Sequence, residues 1–448
     1  MFASRVIFFA PIVFLCHTSP VEAAGPNDGE QWDWQRPLSL TMPPNGASQR
    51  NGPIESRLVP SKDAGRAEFG VGVAIDGTTA LVGAPGDDRG IENANVGAAY
   101  AYTLGDTGWQ LQQKLVSPDG AVNDRLGLRV ALDGDTAVIA APFDNSPIRD
   151  QGSVYVFVRS GGTWNLQQKL TAPDGAESDL FGTGVALNGD TLLVGAALGN
   201  GPTTDQGAAY FFTRNGAVWS FQQKITAQDG ASFDQFGVAV SIDGGTALVA
   251  AVLDVDPPSG QGSVYAFVRN GLTWVFQQKL TSTSGSLSGN FGASVALRGD
   301  VALIGASGDD VGANQAQGSA YVLVRNGSVW LQQARLVAPD GFANERFGGA
   351  VAIANGIALV SARADVGGIE VQGAAYAFAR NGSTWRFRQK LTSPAGESGD
   401  IFGHSVALSG DRALIGAPLE DSDPPPGAHR GAAYVLDLNY IFADGFEQ

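Results

Sequence analysis

Acidic residues gather at two recurrent places in this sequence, and both suit a cation. One is Pro118-Asp119-Gly120 followed by Asp124. It recurs as Asp174 with Asp179, and in related form as Asp229 with Asp234 and Asp340 with Glu345. Proline then Asp-Gly is β-turn chemistry. An acid five residues on either caps that turn or joins the first acid around a weakly held calcium ion. The other place is a set of longer, variable segments carrying Asp87 and Asp88, Asp254 and Asp256, Asp309 and Asp310, and Asp421 and Asp423. Variable loops on a rigid frame are where binding usually resides. These acids are read as binding loops, either plainly solvated or open to a cationic or calcium-bridged partner.

Little else points to catalysis. Cys16 is the only cysteine and falls in the leader, so the remainder has no disulfide, thiolate or cysteine metal site. His404 and His429 are the histidines beyond the leader, too few for a histidine metal centre. Arg129 and His404 titrate but do not by themselves form a constellation. Arg298-Gly-Asp300 spells an adhesion tripeptide, yet it stands where other repeats carry x-Gly-Asp in a hairpin turn. No catalytic, cofactor or firm metal site is assigned.

The elements that position these residues repeat. Phe-Gly occurs at residues 69, 181, 236, 291, 347 and 402, with Leu126-Gly127 filling the one gap. Gly97-Ala-Ala-Tyr100 and its variants end at Tyr155, Tyr210, Tyr265, Tyr321, Tyr376 and Tyr434 in the same phase. Such self-similarity signals a repeat architecture. Each unit reads as four strands, as in 181–187, 191–197, 207–214 and 219–226, with Asn188-Gly189 and Asn215-Gly216 as hairpin turns. The second and third strands are continuously apolar, which suits burial on both faces. The fourth alternates, as in Trp109 to Leu115, and is read as an outer edge whose lysine and glutamines discourage edge-to-edge pairing. Six tryptophans open this strand at a fixed phase and are read as packing residues. The residues after each Phe-Gly are mostly small, as strands crowding an axis require.

Seven such units predict an all-β, seven-bladed β-propeller of four-stranded antiparallel blades. The seventh unit lacks a fourth strand after Tyr434, and Arg57-Leu58-Val59 aligns with Lys114-Leu115-Val116. An N-terminal strand near 54–60 is therefore expected to complete the last blade.

Residues 1–23 read as a signal peptide, with Arg5 before an apolar run too short to span a membrane. A flexible leader (24–53), the propeller (54–438) and a short tail (439–448) follow. The formal net charge of −16 disfavours nucleic acid, which needs a basic footprint. No transmembrane segment is expected, and a monomer is.

The markers Phe-Gly, Val82-Gly-Ala-Pro85 and Gly-Ala-Ala-Tyr resemble the FG-GAP repeat of bacterial proteins and, distantly, the integrin α-subunit propeller. The resemblance covers about residues 54–438. Many integrin-type repeats carry a calcium loop, D-x-D-x-D-G-x-x-D, between the first two strands. Here that connection is only Asp133-Gly-Asp135, Asn188-Gly-Asp190 or Ser409-Gly-Asp411, so the family's calcium sites do not carry over. The resulting expectation is an exported binding or adhesion scaffold, located in the periplasm, at the cell surface or outside the cell. Its partner would be an extracellular protein or glycan. The alternatives are a carbohydrate-active enzyme with a site at the channel mouth, or a purely structural surface module.

Overall fold

Among the described residues the apolar runs and their turn signals form 28 strands in seven antiparallel sheets of four, six of them in sequential order from the axis outward and the seventh ending on the chain's first strand. The computed structural model describes residues 54–61, 64–91, 94–145, 147–255, 261–364, 372–394, 399–421 and 430–439. Residues 1–53, read as signal peptide and leader, the tail beyond Asn439, His429, Asp256 and Asp423 lie outside these residues. Blade one occupies 73–115, and blades two to six follow at 129–170, 181–225, 236–280, 291–336 and 347–391. Blade seven takes 406–437 and, as its outer strand, Ile54–Leu58.

The ring closes as expected. Ile54–Leu58 pairs antiparallel with Ala432–Asp437, setting Arg57 opposite Tyr434 and Leu58 opposite Ala433. Arg57 stands where other blades carry the outer-strand lysine, and its Nε donates to Glu420 at 2.8 Å. A parallel bridge from Phe69 to Gly431 then joins blade one to blade seven.

The core lies between blades rather than at one centre. One cluster joins Val138 and Val154 of blade two to Val194, Tyr210 and Trp219 of blade three. Phe181 meets Tyr210 edge-on with ring centroids 5.5 Å apart. The glycine of the Val-Gly-Ala run lets neighbouring backbones meet: a Cβ at Gly195 would overlap the carbonyl oxygen of Gly237 in blade four. Gly237 itself has φ +98°, a conformation that strains other residues.

The turn between the first two strands is tighter than the Asx-Gly reading implied. Asn188 pairs with Thr191, leaving Gly189-Asp190 as the loop. Only the glycine has positive φ (57°), at the first central position, as a type II′ turn requires. The preceding side chain is freed to reach the next blade. Asp76, Asp133, Asn188, Asp243 and Ser409 each accept from the turn glycine N–H of the following blade, at 134, 189, 244, 299 and 77. These bonds span five of the seven blade junctions, an open hoop on the turn face.

Candidate functional site

Strand direction sorts the connections. The two-residue turns lie on one face. The loops between second and third strands, and those from one blade's outer strand to the next blade's inner strand, share the other. Both acidic groups are on this loop face.

Most of those acids point inward. In blade two the Tyr155 hydroxyl lies 2.7 Å from Asp119 and 2.9 Å from Asp144, its single proton shared between them. Lys169 Nζ lies 2.7 Å from a carboxylate oxygen of each. Blade four repeats the arrangement: the Tyr265 hydroxyl lies 2.8 Å from both Asp229 and Asp254, and Lys279 pairs with both. One carboxylate comes from the connection between blades and the other from the loop within the blade, so tyrosine and lysine tie two loops together. Blade one uses Asp87 with Tyr100 and Lys114, and blade five uses Asp309 with Tyr321 and Arg335. In blade three Asp174 meets Tyr210 and Lys224, and in blade seven Glu420 meets Tyr434 and Arg57.

The proton equilibria follow from these contacts. Burial alone would raise the Asp119 carboxyl, but hydrogen bonds from Lys169 and Tyr155 outweigh it and hold it below the usual range. Asp174, Asp229 and Asp340 behave likewise. Burial and the adjoining carboxylates push the Tyr155 and Tyr265 hydroxyls well up.

The paired-acid reading of the inter-blade connections therefore divides into two separate jobs. Asp119 and Asp174 bind cationic side chains. Asp124 and Asp179 cap their turns, accepting from the N–H of Ala121 at 2.6 Å and Ala176 at 2.7 Å. Both caps are buried, and the second oxygen of each has no hydrogen-bond partner among the described residues. Burial raises Asp179 and pushes Asp124 up to about 6, with Asp144 and Asp119 adding to the latter rise.

The expected loop acids are likewise not the open set that sequence suggested. Asp87, Asp88, Asp254 and Asp309 are buried; the turn after the second strand folds Asp87, Asp254 and Asp309 back, and Asp88 N–H donates to Ala64 O. Asp309 N–H, for example, donates to Ala306 O. Asp88 accepts from Asn95 N–H at 2.9 Å. Asp310 stays exposed, accepting from Ala316 N–H, and Asp421 is half-buried. Beside the exposed Asp119, Asp174, Asp229 and Asp340, the face also exposes large apolar side chains: Ile91, Val122, Phe233, Val255 and Leu287 are each more than half accessible, at 60, 54, 56, 65 and 72%.

Calcium does not suit the turns between first and second strands. Asp135 pairs with Arg159, while Asp133 turns away to the Gly189 N–H. Among the described residues no group of three or more His, Cys, Asp or Glu is placed to hold a metal ion.

The glutamine pairs were missed. A β-bulge at Gln112 turns Gln112 and Gln113 together toward blade two. Gln113 donates to Trp164 O at 2.8 Å and accepts from Trp164 N–H at 2.9 Å, while Gln112 takes the indole N–H at 2.9 Å. Gln167 and Gln168 treat Trp219 in the same way. The signal was in the sequence: Gln-Gln and Trp recur in the same phase. The edge strand is thus a clasp between blades as well as a guarded edge.

Comparison with known protein families agrees with this architecture. The FG-GAP repeat family matches seven times, at residues 54–102, 109–157, 164–212, 219–267, 274–323, 330–378 and 385–436. A search of curated proteins gave no match. Among solved structures, Sqt1 of Saccharomyces cerevisiae is similar at 11% identity and a TM-score of 0.46, covering 86% of this chain and 99% of that one.

Proposed function

The chain belongs to the FG-GAP repeat family, and from that premise we propose that it is an exported binding scaffold of the adhesion type, recognising an extracellular protein or glycan through its loop face. The observation that carries this reading is the set of exposed large apolar side chains on that face, Phe233, Val255 and Leu287 among them. Apolar side chains held open on a rigid frame favour a partner surface. The turn face is fixed by its two-residue hairpins and the hoop of side-chain bonds. The loop face can vary, because the Tyr-Asp-Lys groups beneath it hold the loop bases. Those same groups occupy the carboxylates that a polysaccharide hydrolase would need free, which favours a scaffold over an enzyme. Export rests on reading residues 1–23 as a signal peptide, and these lie outside the described residues. Among the described residues no helix is long and apolar enough to cross a membrane.

The test is retention of the protein on an array of extracellular-matrix proteins and polysaccharides. The expected result is retention by at least one probe, lost in a Phe233→Ser/Val255→Ser/Leu287→Ser variant whose melting temperature is unchanged. Retention undiminished in that variant refutes the assignment of the face. Turnover of any polysaccharide on the array refutes the scaffold reading.

A further inference from the structure

Three positions in every blade border the axis on the loop face. Two follow the Phe-Gly pair, and one follows the second strand. Around the ring they hold small, aliphatic or proline residues except for Arg129 in blade two, Arg363 in blade six and His404 in blade seven. No Asp or Glu stands at any of these positions. In a chain of net charge −16, this is a local inversion of sign.

Strand order sets the three side chains around one end of the axis. Burial lowers Arg363 to about 10, with a further contribution from the charge of Arg129. Burial also depresses His404 strongly, and both arginines add to the effect. Blades six and seven are neighbours, but blade one stands between seven and two, so Arg129 influences Arg363 and His404 across the axis. Arg129 keeps access to solvent although the surrounding walls desolvate its guanidinium, as befits a side chain standing in a shaft.

The cluster also has hydrogen-bonding capacity to spare. Arg363 Nη2 donates to Gly349 O at 2.9 Å, and Arg129 Nη1 donates to Leu128 O at 3.1 Å. Arg363 Nε is buried with no hydrogen-bond partner among the described residues. Its seat depends on a glycine, because a Cβ at Gly349 would lie 2.9 Å from that nitrogen. Two guanidiniums held together without an acid repel each other, a cost that an anion between them offsets.

We propose that the axial mouth of the loop face is an oxyanion site, in which Arg129, Arg363 and His404 take a carboxylate or a phosphate group. Guanidinium forks match the paired oxygens of both groups. The depressed His404 is neutral at pH 7 and contributes a ring N–H. The site does not depend on the exposed apolar residues of the same face, so the two readings fail separately.

Isothermal titration of the full chain with inorganic phosphate and, separately, with acetate at matched ionic strength tests the site. Binding of either anion is expected, with the preferred one distinguishing a tetrahedral from a planar group. Arg129→Gln and Arg363→Gln should each weaken it about tenfold, the loss of one charge-assisted hydrogen bond. Arg298→Gln, on the turn face, should leave it unchanged. Each axial variant also relieves repulsion, so its melting temperature should match or exceed that of the parent. Absence of binding for both anions, or binding that survives both axial substitutions, overturns the proposal.

Discussion

Removing residues 1–68 deletes the strand that closes the ring, and the structure indicates what that strand contributes. Four residue pairs join it to Ala432–Asp437, and at roughly 1 kcal/mol per ladder hydrogen bond they contribute about 4 kcal/mol. Leu58 is buried, adding about 2 kcal/mol. An electrostatic loss comes on top of these. Glu420 has a side chain only 1% exposed and relies on Arg57 and Tyr434. Taking the Arg57 charge away from that buried carboxylate costs on the order of 3 kcal/mol. Arg412 would lose Glu55, its partner at 3.0 Å, as well. The combined loss, on the order of 10 kcal/mol, matches the whole stability of an ordinary domain. Urea denaturation followed by tryptophan fluorescence should therefore show the truncated chain unfolded, or unfolding at far lower urea. A synthetic peptide of residues 50–68 added in trans should restore much of the midpoint by mass action. Equal midpoints with and without residues 1–68 would refute the closure argument.

Two further outcomes follow from single residues. Gly195→Ala places a methyl group against the Gly237 carbonyl and should cost about 3 kcal/mol in chemical denaturation, whereas a loss below about 1 kcal/mol would show that the blades separate freely. Asp124 titrates at about 6 when folded against 3.8 for the free side chain, so the folded state holds an extra proton between those values. Its contribution therefore favours folding most at low pH and declines as pH rises from about 4 to about 6. Asp124→Asn should raise the melting temperature at pH 7 and flatten that part of the stability curve. A variant that melts lower at pH 7 than the parent would contradict the assignment.

The repeat made the architecture readable because each blade writes its strands in full. Phe181-Gly182, Asn188-Gly189 and Tyr210 each mark a local event, and local events survive in sequence. The partners of the polar residues did not. Lys169 binds Asp119, 50 positions away, and Gln113 binds Trp164, 51 away. Those offsets are close to the repeat length itself, so every unit displays both halves of the bond while hiding which neighbour takes which half. Lys114 and Lys169 therefore passed as edge guards, and Asp87 and Asp309 as open loop acids. Arg363 was overlooked for a related reason. Its position holds Pro85, Pro142 and Pro418 elsewhere in the ring, and only closure sets it across from Arg129.

The closing strand also fixes how the molecule is held. Ile54 lies opposite Leu436, so the chain enters and leaves the ring side by side, at the turn-face end of blade seven. Anything that anchors the protein through either terminus pulls on that one corner. The loop face, with its apolar side chains and axial mouth, lies at the opposite end of the strands from both of these points.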